Sequence, residues 1–224
     1  MTKCFIKFSF ITVLICYSSF GFCQSNEIKI KFIGNCGLNL TDGKSNIYID
    51  FPYKSGAHNY MEYDKSELDS IKENSTFIFT HKHADHYSLR LLNNIQGTKY
   101  GPWNISEIDK IKDSILDFNI EAFRAKHKVF GVSFEHYSYL IIWHNKRLFI
   151  SGDTENADTV AKIKNINWLF APVWLLSDAK EKNIKIDAEK FAIYHIGQKD
   201  KITISGSKIQ LLNKSGQIII IPYE

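Results

Sequence analysis

One stretch constrains the chain more than any other, an apolar run that leads directly into a cluster of histidine and aspartate. Residues 75–79 are rich in aromatic and β-branched side chains and too few for a helix, so they predict a buried strand. His81 and His83 follow, and on an extended backbone they point to the same side. Asp85 and His86 come where the chain turns, before a predicted helix. Side chains in such positions lie on a rigid base at the mouth of a sheet, and this spacing suits two adjacent metal ions better than one.

Length and composition indicate one globular domain. The 224 residues are enough for a single domain with a sizeable core. A hydrophobic content of 44% and a charged content of 23% are ordinary for a globular protein. The formal net charge of +4 is weak, so nothing calls for a nucleic-acid partner. We expect a small-molecule substrate, and the sequence gives no indication of the oligomeric state.

The first 23 residues have the pattern of a secretory signal peptide. Lys3 and Lys7 form a basic start, residues 8–22 are apolar and uncharged, and residues 21–23 offer a cleavage site. The apolar run is short for a transmembrane helix, and polar sequence follows it at once. We therefore predict a signal peptide at 1–23, a single domain at 24–224, no membrane segment after cleavage, and a secreted or periplasmic protein.

The cysteines agree with this division. Cys4, Cys16 and Cys23 fall in the predicted signal peptide, which leaves Cys36 alone in the rest of the chain. One cysteine cannot form an internal disulfide, so stability must come from the core and from metals. We expect Cys36 to be a small buried residue in a tight turn rather than a reactive thiol. Acylation of Cys23 is the less favoured alternative, because the bulky Phe22 precedes it.

Apolar periodicity and turn signals predict an alternation of strands and short helices. The predicted strands are residues 27–33, 38–40, 46–50, 75–79, 98–101, 119–125, 137–143, 147–150, 168–174, 191–195, 199–205 and 216–222. The predicted helices are residues 66–73, 89–94, 106–116 and 178–190.

Two later polar positions follow apolar strands. Gly152-Asp153-Thr154 comes after the strand at 147–150, and His195 ends the strand at 191–195. Each is a weak signal by itself, since Gly-Asp turns are common and most buried histidines are structural. With the segment from His81 to His86, they resemble the signature of the metallo-β-lactamase superfamily, in the expected order between residues 29 and 195. The resemblance implies an α/β fold, the four-layer αββα sandwich, and two metal ions.

The resemblance also implies a role for each residue. It places Asp153 between the two ions, where its two carboxylate oxygens can hold one each. It assigns Asp50 to bracing the histidine turn rather than to metal binding. The third ligand of the first ion is His127 or His136, and we favour His127 because it ends a predicted strand that can aim it. The implied ligands are His81, His83 and His127 for the first ion, Asp85, His86 and His195 for the second, and Asp153 for both.

This ligand set indicates hydrolytic chemistry. Imidazole with carboxylate suits Zn²⁺, although manganese or iron would also fit. A hydroxide shared by two ions could cleave an ester, lactone or phosphodiester bond, and Asp85 could carry a proton to the leaving group. The chain looks most like the short single-domain hydrolases related to ascorbate-phosphate lactonases. The alternatives are β-lactam hydrolysis, or a non-catalytic binding protein stabilised by metal, because a fold does not fix a substrate.

Four other features have open or neutral interpretations. Residues 52–64 could form a substrate lid or a surface loop closed by its own rings. His58 in this loop lacks a spacing partner and is interpreted as an ordinary loop residue. Trp174 could equally line the pocket or belong to the core. We expect His144, in a hairpin turn, to face solvent.

Overall fold

The computed structural model describes residues 26–129, 132–197, 199–202, 204 and 206–224, and the side chains of these residues except 126–133. The predicted signal peptide at 1–23 lies outside the described residues. Within the described part of the chain, no helix is both long enough and apolar enough to cross a bilayer.

In the described part of the chain, twelve strands form two six-stranded mixed sheets, with strand order β12-β1-β2-β3-β4-β5 in the first and β11-β10-β9-β8-β7-β6 in the second. The first sheet comprises β1 (Glu27–Gly34), β2 (Gly37–Thr41), β3 (Asn46–Ile49), β4 (Thr76–Ile78), β5 (Thr98–Tyr100) and β12 (Ile218–Pro222). The second comprises β6 (Phe118–Val129), β7 (Val132–Trp143), β8 (Lys146–Ile150), β9 (Ile166–Pro172), β10 (Ala188–Tyr194) and β11 (Ile209–Leu211).

The helices are few and short. They are α1 (Ser66–Asp69), α2 (Leu89–Leu92), α3 (Ala157–Val160) and α4 (Val173–Glu181), with 3-10 segments at Ala57–Asn59 and Pro102–Asp113.

Three apolar clusters show how the layers pack. The largest lies between the two sheets and contains Ile30, Leu40 and Tyr139. A second, with Val160 and Leu175, packs α3 and α4 against the second sheet. The third covers the outer face of the first sheet and contains mostly aromatic side chains: Ile33, Tyr48, Phe51, Tyr53, Tyr63, Phe77, Phe79 and Leu92. Helical elements therefore flank two facing sheets, which confirms the predicted α/β sandwich.

The strand predictions follow from burial. In β1, Ile28, Ile30 and Phe32 are buried while Lys29 is exposed, as the alternating sequence requires. Strand β4 is buried throughout and pairs in parallel with β3 and β5, which suits its continuous apolar run.

Several helix and strand boundaries were predicted wrongly. The helix predicted at 66–73 is only the single turn α1, and the one predicted at 178–190 is α4, which starts earlier, at Val173. The backbone explains the end of α4: Asn183 has φ 53, and the N–H of Ile184 bonds back to Ala179 O at 2.7 Å, a left-handed helix cap. Among the described residues of 199–205, none lies in the strand predicted there.

Contacts between the sheets bring the predicted ligands to one edge. The hydroxyl of Tyr139 on β7 donates to Phe79 O at 2.8 Å, just after β4. The N–H of Tyr137 donates to Thr80 O at 3.0 Å. These two bonds fix the start of the histidine turn against the second sheet, close to the end of β8 that carries Asp153.

Candidate metal centre

Asp50 anchors the histidine turn from beneath. Its Oδ1 accepts a hydrogen bond from Thr80 N at 2.7 Å, and its Oδ2 accepts from Thr80 Oγ1 at 2.8 Å and from His86 Nδ1 at 2.9 Å. Asp50 is fully buried, and that burial raises its pKa even though the neighbouring His86 acts to lower it. The bracing role implied for Asp50 is confirmed.

These bonds also set the tautomers of two histidines. His86 donates its Nδ1–H to Asp50, so the lone pair of the neutral ring lies on Nε2. Thr80 Oγ1 donates to Asp50 and therefore accepts from His81 Nδ1, at 2.9 Å. Both imidazoles consequently present Nε2 toward the site, which is the arrangement that outer hydrogen-bond partners give metal-ligating histidines.

Asp153 lies between two groups of histidines. Its Oδ1 is 3.0 Å from His86 Nε2 and 3.3 Å from His195 Nε2, whereas its Oδ2 is 3.6 Å from His81 Nε2. Gly152, just before it, has φ 58, and an added Cβ would collide with the His136 ring. Only glycine therefore allows the turn that points the Asp153 carboxylate at both groups.

The first group, here called the inner cluster, consists of Asp85, His86, Asp153 and His195. His86 Nε2 and His195 Nε2 are 3.2 Å apart, and Asp85 Oδ2 is 3.6 Å and 3.2 Å from them. Ligands of a tetrahedral zinc ion, at about 2.1 Å from the metal, lie about 3.4 Å from one another. The donor atoms of the inner cluster therefore converge at separations that fit a divalent metal.

The charged groups of the inner cluster also indicate a metal site. Burial acts to lower the pKa of His86 and of His195, but the adjacent Asp153 carboxylate outweighs it and leaves both pKa values well above the usual value. Burial acts to raise the pKa of Asp85 and of Asp153, but the neighbouring imidazoles hold both pKa values below the usual value for aspartate. A site in which buried carboxylates and imidazoles stabilise each other's charge in this way suits a divalent cation.

The second group, here called the outer cluster, consists of His81, His83 and Asp153. One donor atom from each lies within 4.8 Å of the other two. Burial lowers the pKa of His81 well below its usual value, so its ring is neutral and suited to ligation. His83 is half-buried, and the ring of Phe134 lies 4.4 Å from its ring. Six of the seven predicted ligands thus meet in two adjoining clusters.

Solved structures of the same architecture share at most 20% sequence identity with this chain in the three examples that follow. A metallo hydrolase of the archaeon Ignicoccus hospitalis aligns with 88% of this chain and 100% of its own, at TM-score 0.63 and 14% identity. YhfI of Bacillus subtilis, a metallo-β-lactamase fold protein, aligns with 87% of this chain and 99% of its own, at TM-score 0.61 and 15% identity. The chain has the metallo-β-lactamase fold. A proposed metal-dependent hydrolase of Parabacteroides distasonis aligns with 82% of this chain and 92% of its own, at TM-score 0.60 and 20% identity.

Sequence comparisons alone do not reach this fold. No family model matches the chain. No curated protein matches it either.

Within this metallo-β-lactamase fold, the third ligand of the outer cluster stays a prediction. His127 lies in β6, paired with Phe134, and its side chain lies outside the described residues. We predicted that His136 lies just ahead of a strand, but it lies inside β7. A strand therefore orients His136 as well as His127. His136 is buried, and its Nε2 accepts the N–H of Asp153 at 2.9 Å. In this position it holds the Asp153 turn.

Three residues near the inner cluster were missed or left open by sequence reasoning. His58 was predicted to be an ordinary loop residue, yet its Nε2 lies 3.9 Å from Asp85 Oδ1. Trp174 donates from Nε1 to Asp153 O at 3.2 Å, and its ring lies 4.9 Å from the His195 ring, so it does line the site. The ring of Tyr60 also meets the His195 imidazole edge-on, at 4.1 Å.

Cys36 is a fourth neighbour of the inner cluster that sequence reasoning missed. It is buried in the tight turn between β1 and β2, as predicted. Its sulfur also lies within 4.8 Å of donor atoms of His86, Asp153 and His195, which are themselves within that distance of one another. No spacing rule could have found this contact, because β1 is distant in sequence from all three.

Proposed function

We propose that this chain is a metal-dependent hydrolase that holds two divalent ions, one in each cluster, with Asp153 as their common ligand. The observation that carries the proposal is the orientation of the Asp153 carboxylate, whose two oxygens face different histidines. The names of the Ignicoccus and Parabacteroides proteins, a metallo hydrolase and a metal-dependent hydrolase, support the reaction class. Zinc suits the imidazole and carboxylate donors best.

When bound, two such ions lower the pKa of water and polarise a carbonyl or phosphoryl oxygen. The protein supplies orientation. Asp50 and Thr80 fix the rings of His81 and His86, and His136 fixes Asp153. Asp85 is only 3% exposed, and its main-chain oxygen accepts a hydrogen bond from Asn35 Nδ2 at 2.9 Å. One oxygen of its carboxylate points toward the loop that carries His58. In this position Asp85 could accept a proton from the attacking water and pass it to the leaving group.

The surroundings favour a small substrate with an apolar part. Tyr60 and Trp174 flank His195, and Phe134, itself 40% exposed, lies against His83. The loop at 52–64 therefore contributes a wall of the site, which favours its interpretation as a substrate-contacting segment. An ester, a lactone or a phosphodiester fits this proposal, and β-lactam hydrolysis remains the alternative within the same reaction class.

The test combines metal analysis with turnover. Plasma mass spectrometry on the purified protein is expected to find about two zinc ions per chain. A panel of generic lactone, ester, phosphodiester and β-lactam substrates should then show turnover on one class, lost on chelation and restored by zinc. Two ions with no turnover on any class would favour a metal-stabilised binding protein, and bound iron would favour oxidation chemistry over hydrolysis.

A further inference from the structure

The turn between β1 and β2 is clamped between two loops that carry inner-cluster residues. Asn35 O accepts a hydrogen bond from His195 N at 3.1 Å. The side chain of Asn35 donates to Asp85 O at 2.9 Å and reaches Asp85 Oδ2 at 3.3 Å. The backbone that carries Cys36 is thereby held in fixed register with both loops.

The Cys36 sulfur lies where the apolar core between the two sheets meets the inner cluster. Cys36 is 1% exposed, and donor atoms of His86, Asp153 and His195 surround its sulfur within 4.8 Å. Most buried cysteines serve as small apolar residues packed among hydrophobic side chains. Cys36 packs in the core between the sheets in this way, but its sulfur is also within 4.8 Å of two imidazoles and a carboxylate, which are typical metal ligands.

A second observation marks the same place as a ligand site. Among the described residues, the fully buried Oδ1 of Asn35 has no hydrogen-bond donor, although its partner Nδ2 reaches Asp85. A buried polar atom without a partner costs about 1–3 kcal/mol, and this amide lies directly beside Asp85 of the inner cluster, so a water on a bound ion would be a suitable partner for it.

We propose that the Cys36 sulfur is a further ligand of the metal in the inner cluster, beside His86, Asp153 and His195. This inference rests on the proposed function, since it assumes that an ion binds there. On binding, the thiol releases its proton to solvent and the sulfur bonds to the metal as thiolate. A soft thiolate favours zinc over manganese, so Cys36 would set the metal preference of the inner cluster.

Cobalt spectroscopy tests the assignment in the full-length protein. Chelator-treated protein is loaded with Co²⁺, and a sulfur-to-cobalt charge-transfer band in the near ultraviolet is expected. The band should disappear in Cys36→Ser and persist in the control Asp158→Ala, which changes an exposed residue of α3. Circular dichroism confirms that both variants are folded, and serine keeps the size of the side chain.

Metal competition supplies an independent readout. Cys36→Ser is expected to lower zinc affinity by about 10-fold or more while leaving manganese affinity nearly unchanged. Cobalt bound without the band, or a band that persists in Cys36→Ser, would overturn the ligand assignment and leave the proposed function intact. Failure of the wild-type protein to bind cobalt or zinc at all would instead overturn the proposed function.

Discussion

At the scale of single residues, the two oxygens of Asp153 face different histidines, and that arrangement depends on its neighbours. Gly152 allows the turn, and His136 accepts the Asp153 N–H. The Trp174 indole donates to the Asp153 carbonyl. The carboxylate is therefore held in place before any metal arrives, which lowers the cost of ordering it on binding.

Replacing Asp153 removes the ligand shared by both clusters. Asp153→Ala should abolish hydrolysis and reduce the bound metal from about two ions per chain to one or fewer. Metal analysis with circular dichroism checks this. Asp158→Ala is the control, because Asp158 is exposed on α3 and pairs with Lys182 only on the surface. Two ions retained by folded Asp153→Ala would contradict the shared-ligand role.

The two candidate third ligands can be separated by substitution. His127→Ala should reduce metal content more than His136→Ala, as expected if His127 is the ligand. His136→Ala should instead lower the free energy of unfolding by about 2–3 kcal/mol, because it leaves a cavity and an unpaired Asp153 N–H. Metal analysis and denaturant unfolding on both variants decide the matter. The reverse order of metal loss would transfer the ligand role to His136.

At the scale of elements, two hairpin turns from different sheets lock together away from the metal centre. The ring of His144, in the turn between β7 and β8, lies 3.1 Å from Asp42 Oδ2 in the turn between β2 and β3. The ring also stacks on Tyr223 at 3.9 Å, and its side chain is only 9% exposed. The prediction that His144 faces solvent is wrong, since packing of the two sheets covers this turn.

Asp42 gives this contact a pH dependence. Burial acts to raise its pKa, but hydrogen bonds from Ser45 N and Lys44 N, together with His144, leave the pKa below the usual value. The stability that Asp42 contributes is therefore present above its unfolded-state pKa and is lost as the pH falls through the lowered folded-state value.

Asp42→Asn should consequently reduce the free energy of unfolding at neutral pH by a small amount, about 0.5–1 kcal/mol after allowing for solvent screening. Denaturant unfolding across the acid range should show the difference from wild type beginning to shrink near the ordinary pKa of aspartate and vanishing only below the lowered folded-state pKa. Asp117→Asn is the control, because Asp117 is 64% exposed and lies farther from His144, at 3.5 Å. A difference that stays constant with pH would contradict the assignment.

At the scale of the whole molecule, the cellular localisation of the protein stays a prediction from the N-terminal pattern. The exported protein should begin near Gln24, because the basic start, the apolar run and the small residues before it match a signal peptide. Intact-mass analysis of protein from the medium or periplasm checks this, with the cytoplasmic fraction as reference. An exported chain that retains Met1 would contradict it, and a lipid on Cys23 would support the lipoprotein alternative.

The strands could be predicted better than the helices, for a physical reason. Burial of one or both faces of a sheet leaves a period in the sequence, as in Ile28, Ile30 and Phe32 of β1. The helices here are mostly one or two turns long, too short to show a period, and their ends depend on single left-handed residues such as Asn183.

The sequence alone determined the donor types and their local placement: imidazoles and a carboxylate in the turn after β4, Asp153 after β8 and His195 after β10. These are local features, because a strand fixes where its last residues point. Only the tertiary structure decided the neighbours of those donors. Cys36 and His58 reach the site from loops that lie early in the chain. Their distances from the ligands are set by the docking of one sheet on the other and by the hydrogen bonds of Asn35. Residue spacing along the chain does not encode such contacts.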